Sequence, residues 1–213
     1  MIAKETVEAI KDELTGHLRP RTEWDEQPAL FILHRADDRS IHLAKVPVPE
    51  RLWNAAGHPP TAVMRLAEGV TGLPRWPDGS HMFVPPWAGP LIGVAFRYEA
   101  YALSSDSPNP AVQEAARRRT AGGSVPRFKD IPGRQEQRCM TAVDLDGGRY
   151  MASASRIAED GPEASEPIVH YLAFADPKRD TLSGNVVDAT NRFLNAIKPV
   201  PPRHGQGVGG ERR

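Results

Sequence analysis

The segment Arg134–Arg156 reads RQEQRCMTAVDLDGGRYMASASR, and it constrains the fold more tightly than any other part of the chain. Successive side chains of a strand point to opposite sides. In the first half, Cys139, Thr141, Val143 and Leu145 therefore share one face, and Arg138, Met140, Ala142 and Asp144 share the other. GRYMASASRI answers as a second strand. The Asp-Gly-Gly between them supplies residues that tolerate positive φ, which tight hairpins require. The pattern predicts a β-hairpin whose acidic turn serves the bend rather than a reaction. Spaced acids before a glycine superficially resemble a calcium loop, but the further oxygen ligands and the distant glutamate of such a loop are missing.

The rest of the chain supplies elements of both kinds. Ala3, Val7, Ile10 and Leu14 fall at helical spacing, predicting a helix over residues 3–15 with Gly16 at its C-cap. PALFILHR and IHLAKVPV read as a second hairpin around ADDRS, stopped by Pro47 and Pro49. PERLWNAAG opens a short helix. A further helix from Pro60 presents Val63, Met64, Leu66, Ala67 and Val70 and ends at Gly72. LIGVAFRYEAYALS is the longest strand candidate. Ile92, Val94, Phe96 and Tyr98 form its core face; Leu91, Ala95, Arg97, Glu99 and Tyr101 form a mixed face that is only partly covered. PNPAVQEAARRRT reads as a helix whose arginines complement the dipole at its C-terminus, followed by a flexible connector. EDGPEASEP is a solvated loop and IVHYLAFA one more strand. The last helix lies within 180–198 and faces the core with Leu182, Val186, Ala189, Phe193, Leu194 and Ile197; Asp180, Thr181 or Ser183 caps it. The tail at 199–213 has almost nothing to bury and is expected to be disordered.

These elements imply one α+β domain over residues 1–198, a mainly antiparallel sheet of five or six strands flanked by helices. The 213 residues suffice for a core without disulfides or metal. A single cysteine fits a reducing compartment, and no apolar run approaches the length of a membrane span, so a cytoplasmic protein is expected. A formal net charge of +0 argues against a phosphate-backbone partner and disfavours nucleic acid. Arginine outnumbers lysine 21 to 6, a bias associated with GC-rich genomes such as those of actinobacteria and their phages.

The chain lacks the sequence signatures of the common chemistries. It has no GxSxG, no GxGxxG and no GxxxxGK[ST]; GQGVGG comes closest but lies in the tail. The seven histidines show no metal-ligand spacing, although His34 and His42 sit where a hairpin brings them together. Cys139 lies mid-strand among apolar neighbours and reads as a small buried hydrophobe rather than a nucleophile. No cofactor or metal site is assigned, and catalysis is disfavoured.

Two places carry the candidate binding residues. Residues 73–90, LPRWPDGSHMFVPPWAGP, hold five prolines, which exclude regular structure over most of the stretch. Trp76, His81, Phe83 and Trp87 there form either an aromatic platform or a roof over the sheet. The second place is a polar ladder: Arg97 and Glu99 share a face on one strand, Glu136 and Arg138 on a later one. Antiparallel neighbours would let these four pair crosswise.

With Gly93, Glu99, Arg134, Glu136, Arg138, Ala142, Val143, Asp144, Asp146, Gly147 and Tyr150, residues 91–156 resemble a loose group of uncharacterised actinobacterial and actinophage proteins. That resemblance implies no established activity. In order of elements alone, the chain is also similar to roadblock and profilin-like domains, which implies an antiparallel sheet flanked by helices and an adaptor or dimer role. The expected function is a non-catalytic accessory or interaction protein, with a phage as one source, acting on another protein or on itself. The alternative is a small-molecule sensor or enzyme with its pocket between the sheet and residues 73–90.

Overall fold

The alternating segments become strands and the helical-period segments become helices. The computed structural model describes residues 3–21, 23–85, 89–103, 107–156, 169–174, 182 and 184–200. In chain order the elements are α1 (Lys4–Leu18), β1 (Ala29–Arg35), β2 (Ile41–Lys45), α2 (Glu50–Ala56), α3 (Pro59–Thr71), β3 (Leu91–Ala102), α4 (Pro110–Thr120), β4 (Gln135–Asp144), β5 (Arg149–Ser155), β6 (Val169–Phe174) and α5 (Asn185–Ile197). The strands form one antiparallel sheet in the order β2-β1-β3-β4-β5-β6, giving the expected α+β class. No helix among the described residues is long and apolar enough to cross a membrane.

The sheet has helices on both faces. On one, α3 and α5 bury Val63, Val70, Phe193 and Ile197 against Leu30, Ile32, Val94, Phe96 and Val143. On the other, α1 lays Ile10, Leu14 and Leu18 against Phe31, Leu33, Ala95, Met140, Ala142, Tyr150 and Ala152. Burying a large aliphatic side chain contributes roughly 1.5–3 kcal/mol, so these two stripes hold the helices in place.

Three expectations need correction. First, α1 runs through Gly16 to Leu18, because Leu18 is fully buried and completes the stripe of Ile10 and Leu14. Burial of a leucine outweighs the cost of one mid-helix glycine, about 1 kcal/mol. Second, Ile92 does not share a face with Val94. The β1–β3 register slips between Leu33 and His34, so Leu91 packs with Val94 and Phe96, while Ile92 joins the α1 side. Such a bulge reverses the side-chain alternation beyond it. Gly93 permits it: a Cβ there would lie 2.3 Å from the Val143 carbonyl oxygen. The mixed face of β3 is covered unevenly: Ala95 (0% exposed) and Arg97 (6%) are buried, whereas Tyr101 (37%) is exposed. Third, α5 starts at Asn185 after Gly184, whose φ is +126°, and no side chain caps it. Asp180, Thr181 and Ser183, the loop EDGPEASEP, and residues 201–213 of the tail lie outside the described residues.

The Asp-Gly-Gly hairpin is present. The β4–β5 pairing runs from Gln137 opposite Ser155 to Val143 opposite Arg149. Asp144 is 1% exposed, and its carboxylate binds its own turn. Its Oδ1 accepts from the amides of Asp146 (2.9 Å) and Gly148 (2.8 Å), and its Oδ2 accepts from the Tyr150 hydroxyl at 2.5 Å. Gly147 has φ +87°, and a Cβ on Gly148 would meet Asp144 Oδ2 at 2.4 Å. The two aspartates are thus divided: Asp144 ties the bend together and Asp146 is exposed.

Candidate functional site

The candidate binding residues fall into two groups that do not meet. Arg97 follows Leu91, which borders the second group, by six residues along β3. At about 3.3 Å per residue that is roughly 20 Å.

The first group is the polar ladder, and its strands are the neighbours the pairing required. Glu99 lies directly opposite Arg138 in the β3–β4 register. The Arg138 Nη2 and Nε donate to Glu99 Oε1 at 3.0 and 3.3 Å, with Arg138 only 1% exposed. Glu136 stands opposite Tyr101 and binds Arg156 at 2.8 Å.

A strap formed by residues 19–21 and 23–28 closes this ladder. Arg21 Nη1 donates to both carboxylate oxygens of Glu26 (3.0 and 2.8 Å), and Arg97 makes a very short ion pair with the same carboxylate. Arg97 Nη2 also donates to the Gln27 carbonyl at 3.1 Å, and Arg138 Nη1 to the Arg21 carbonyl at 3.2 Å. The Asp25 amide donates to Glu99 Oε2 at 2.9 Å, from a residue with φ +63°. Trp24 lies under two guanidiniums, Arg138 at 4.8 Å and Arg156 at 5.5 Å from its ring centroid. The sequence signal was an indole among acids, Glu23-Trp24-Asp25-Glu26. Only the fold set it against arginines more than 70 residues away.

Titration follows from this crowding. Burial, reinforced by Arg21 and Arg97, lowers His17 from 6.5 to about 4, so it is neutral at physiological pH. Burial alone would raise the Glu26 carboxyl, but Arg97 and Arg21 outweigh it and hold the group below its ordinary value. Each carboxylate and guanidinium named here has at least one partner, although Arg21 Nε and His17 Nε2 are buried without a hydrogen bond among the described residues. The group therefore reads as a structural clasp.

The second group is the stretch 73–90, and it divides further. His81 is fully buried. Its Nε2 lies 2.9 Å from the Val70 carbonyl, which can only accept, and its Nδ1 accepts the Phe83 amide at 3.1 Å. Both ring nitrogens are spent, and burial lowers its pKa. Phe83 packs edge-on against Phe193 with centroids 5.9 Å apart and joins the α3–α5 core. These two side chains face inward. Trp87 lies outside the described residues.

Trp76 differs, at 44% exposure. It sits in a tight turn in which its amide donates to the Ser80 carbonyl (2.8 Å) and its carbonyl accepts from Gly79 (2.9 Å). Arg75 bolts this turn to the end of α5, donating to the carbonyls of Ala196 (3.1 Å) and Lys198 (2.7 Å), which the helix leaves unsatisfied. Val200, where the tail begins, donates its amide to Gly79 at 3.2 Å. Beside Trp76 opens a cleft of about 720 Å³, lined by Pro77, Val84, Pro85, Pro90, Leu91, Ile197 and Pro199, with Asp78 and Ser80 at its polar side.

Elsewhere the structure offers little chemistry. Cys139 is 3% exposed, and burial pushes its thiol up to about 11 despite a hydrogen bond from Tyr98 that lowers it, so it is no thiolate at neutral pH. His34 and His42 do face each other across the β1–β2 hairpin, ring centroids 5.9 Å apart. Among the described residues, no group of three or more His, Cys, Asp or Glu side chains is placed to hold a metal ion. Comparison with protein-family models, curated protein sequences and solved structures returned no significant match.

Proposed function

We propose that this protein is a non-catalytic interaction protein whose cleft beside Trp76 holds an extended, apolar, weakly charged segment of another protein. The reading rests on one observation: a tryptophan left 44% exposed lines a largely apolar cleft. An indole buries much area on binding at small entropic cost, which is why tryptophan dominates binding hot spots. The turn that carries it is tied to α5, so little ordering remains to be done on binding. Prolines and aliphatics make up most of the remaining lining, with Asp78 and Ser80 as its polar part, which suits an apolar segment carrying few charges.

Selection of displayed random peptides on the immobilised protein tests this. The expected outcome is enrichment of a shared apolar pattern, with affinity falling at least about 10-fold in Trp76→Ala. Absence of enrichment, or binders indifferent to Trp76→Ala, refutes the reading. A second reading puts a small molecule in the same cleft, whose volume lies in the range of ligand sites. A metabolite that raises the melting temperature of the wild type by several degrees, but not that of Trp76→Ala, would favour it.

A further inference from the structure

The two edges of the sheet are built differently. At one edge, β2 is blunted. The Leu43 amide donates to Glu13 Oε1 of α1 at 3.0 Å, the exposed Lys45 ends the strand, and Pro47 and Pro49 follow. Lysine, proline and a covering side chain are the devices by which sheets prevent further pairing.

At the other edge, β6 has none of these among the described residues. Its sequence Val169–Phe174 contains no Asp, Glu, Lys, Arg or Pro. It pairs with β5 over its whole length, and among the described residues nothing else bonds to its backbone. Leu172 is 54% exposed, the highest value among the exposed large apolar side chains, and His170 and Ala173 are exposed beside it.

We propose that β6 is a self-association edge: two copies of the chain pair β6 against β6, antiparallel about a two-fold axis, and join their sheets into one of twelve strands, six from each copy. Three observations favour a second copy over another occupant. An antiparallel edge is its own complement, because a two-fold axis brings each outward N–H to a carbonyl of the mate. The strand carries no charged residue that would repel its image. The whole chain has a formal net charge of +0, so two copies approach without long-range repulsion. The surface lies apart from the Trp76 cleft, and the inference does not depend on the function proposed for that cleft. Six residues a side is fewer than the roughly 20–30 of a standard interface, so the dimer exchanges with monomer at roughly micromolar concentrations or above.

Sedimentation velocity across a concentration series, with hydrogen exchange on the same samples, provides the test. The wild type is expected to shift from monomer to dimer, with amides of 169–174 gaining protection at high concentration and those of 41–45 unchanged. Leu172→Lys sets two ammonium groups beside the axis and should weaken dimerisation at least tenfold, whereas Trp76→Ala should leave it intact. The exchange measurement needs no variant, so it decides the matter even if Leu172→Lys folds poorly. A wild type that stays monomeric at about 0.5 mM, well above that micromolar range, overturns the proposal. So does a dimer in which β6 amides exchange freely, or β6 protection that appears only with a different protein.

Discussion

Arg138 and Trp76 invert the usual distribution of residues between interior and surface. The arginine is 1% exposed and the tryptophan 44%. Arginine is rarely buried unless paired, and here Glu99, the Arg21 carbonyl and the Trp24 ring surround it. Tryptophan is usually well covered, and here it stands at a cleft that nothing among the described residues explains as packing. A buried charge with every partner supplied by its own chain is committed to the fold. An exposed indole on a fixed turn is available to something else. The same test separates His81, whose two nitrogens are both engaged internally, from its neighbour in sequence Trp76.

The largest effect should come from the clasp. Arg138→Ala leaves Glu99 in a nearly closed site without its cation and should cost roughly 3–5 kcal/mol. The double change Arg138→Met, Glu99→Leu removes both charges and should be less destabilising than Arg138→Ala alone. Urea unfolding of the three proteins measures this; a single variant within about 0.5 kcal/mol of wild type would break the contrast.

A smaller effect is expected from pH. The folded value of His17, about 4, lies below its ordinary 6.5. Between these values the unfolded chain binds the proton and the folded chain does not, so stability falls as pH drops from about 6.5 to about 4 and is fully present above that window. The lowered values of His34 and His81 act in the same direction. His17→Gln should therefore flatten the slope without abolishing it, as followed by the urea midpoint at each pH. An unchanged slope would show that neither burial nor the nearby Arg21 and Arg97 disfavours a charged His17.

The smallest effect sharpens the comparison from the other side. Trp76→Ala should change folding stability by no more than about 0.5 kcal/mol, since an exposed side chain removed from a turn leaves no cavity. A loss of several kcal/mol in thermal or urea unfolding would make Trp76 a structural roof and remove the basis for a docking cleft.

Much of this fold was legible in the residues. The hairpin at Asp144–Gly148, the β1–β2 hairpin and the proline-started helices follow from local rules of φ and periodicity. The crosswise pairing expected of four residues was half legible: Glu99 meets Arg138 across the strands, but Arg97 pairs with Glu26 and Glu136 with Arg156 instead. The role of residues 19–21 and 23–28 was not legible. Their contacts join Glu26 to Arg97 and Asp25 to Glu99 across more than 70 positions, and no local pattern encodes such a separation. The bulge at Ile92 was hidden for a related reason: a single slipped register reverses every side chain beyond it, and that slip is a property of the β1–β3 pairing rather than of either strand alone. Of the aromatic residues grouped as one platform, Phe83 packs into the core and Trp76 stands out, a division set by where α5 ends.

The sequence by itself determined which segments are strands and which are helices, where the chain turns, and that Asp-Gly-Gly closes a hairpin. Those outcomes depend on φ preferences and on the spacing of apolar side chains, which act over a few residues. The tertiary structure alone decided which arginines are buried, how far Trp76 is exposed and in what order the strands lie in the sheet. Burial and charge pairing are properties of neighbours in space, and those neighbours exist only after distant segments have packed together.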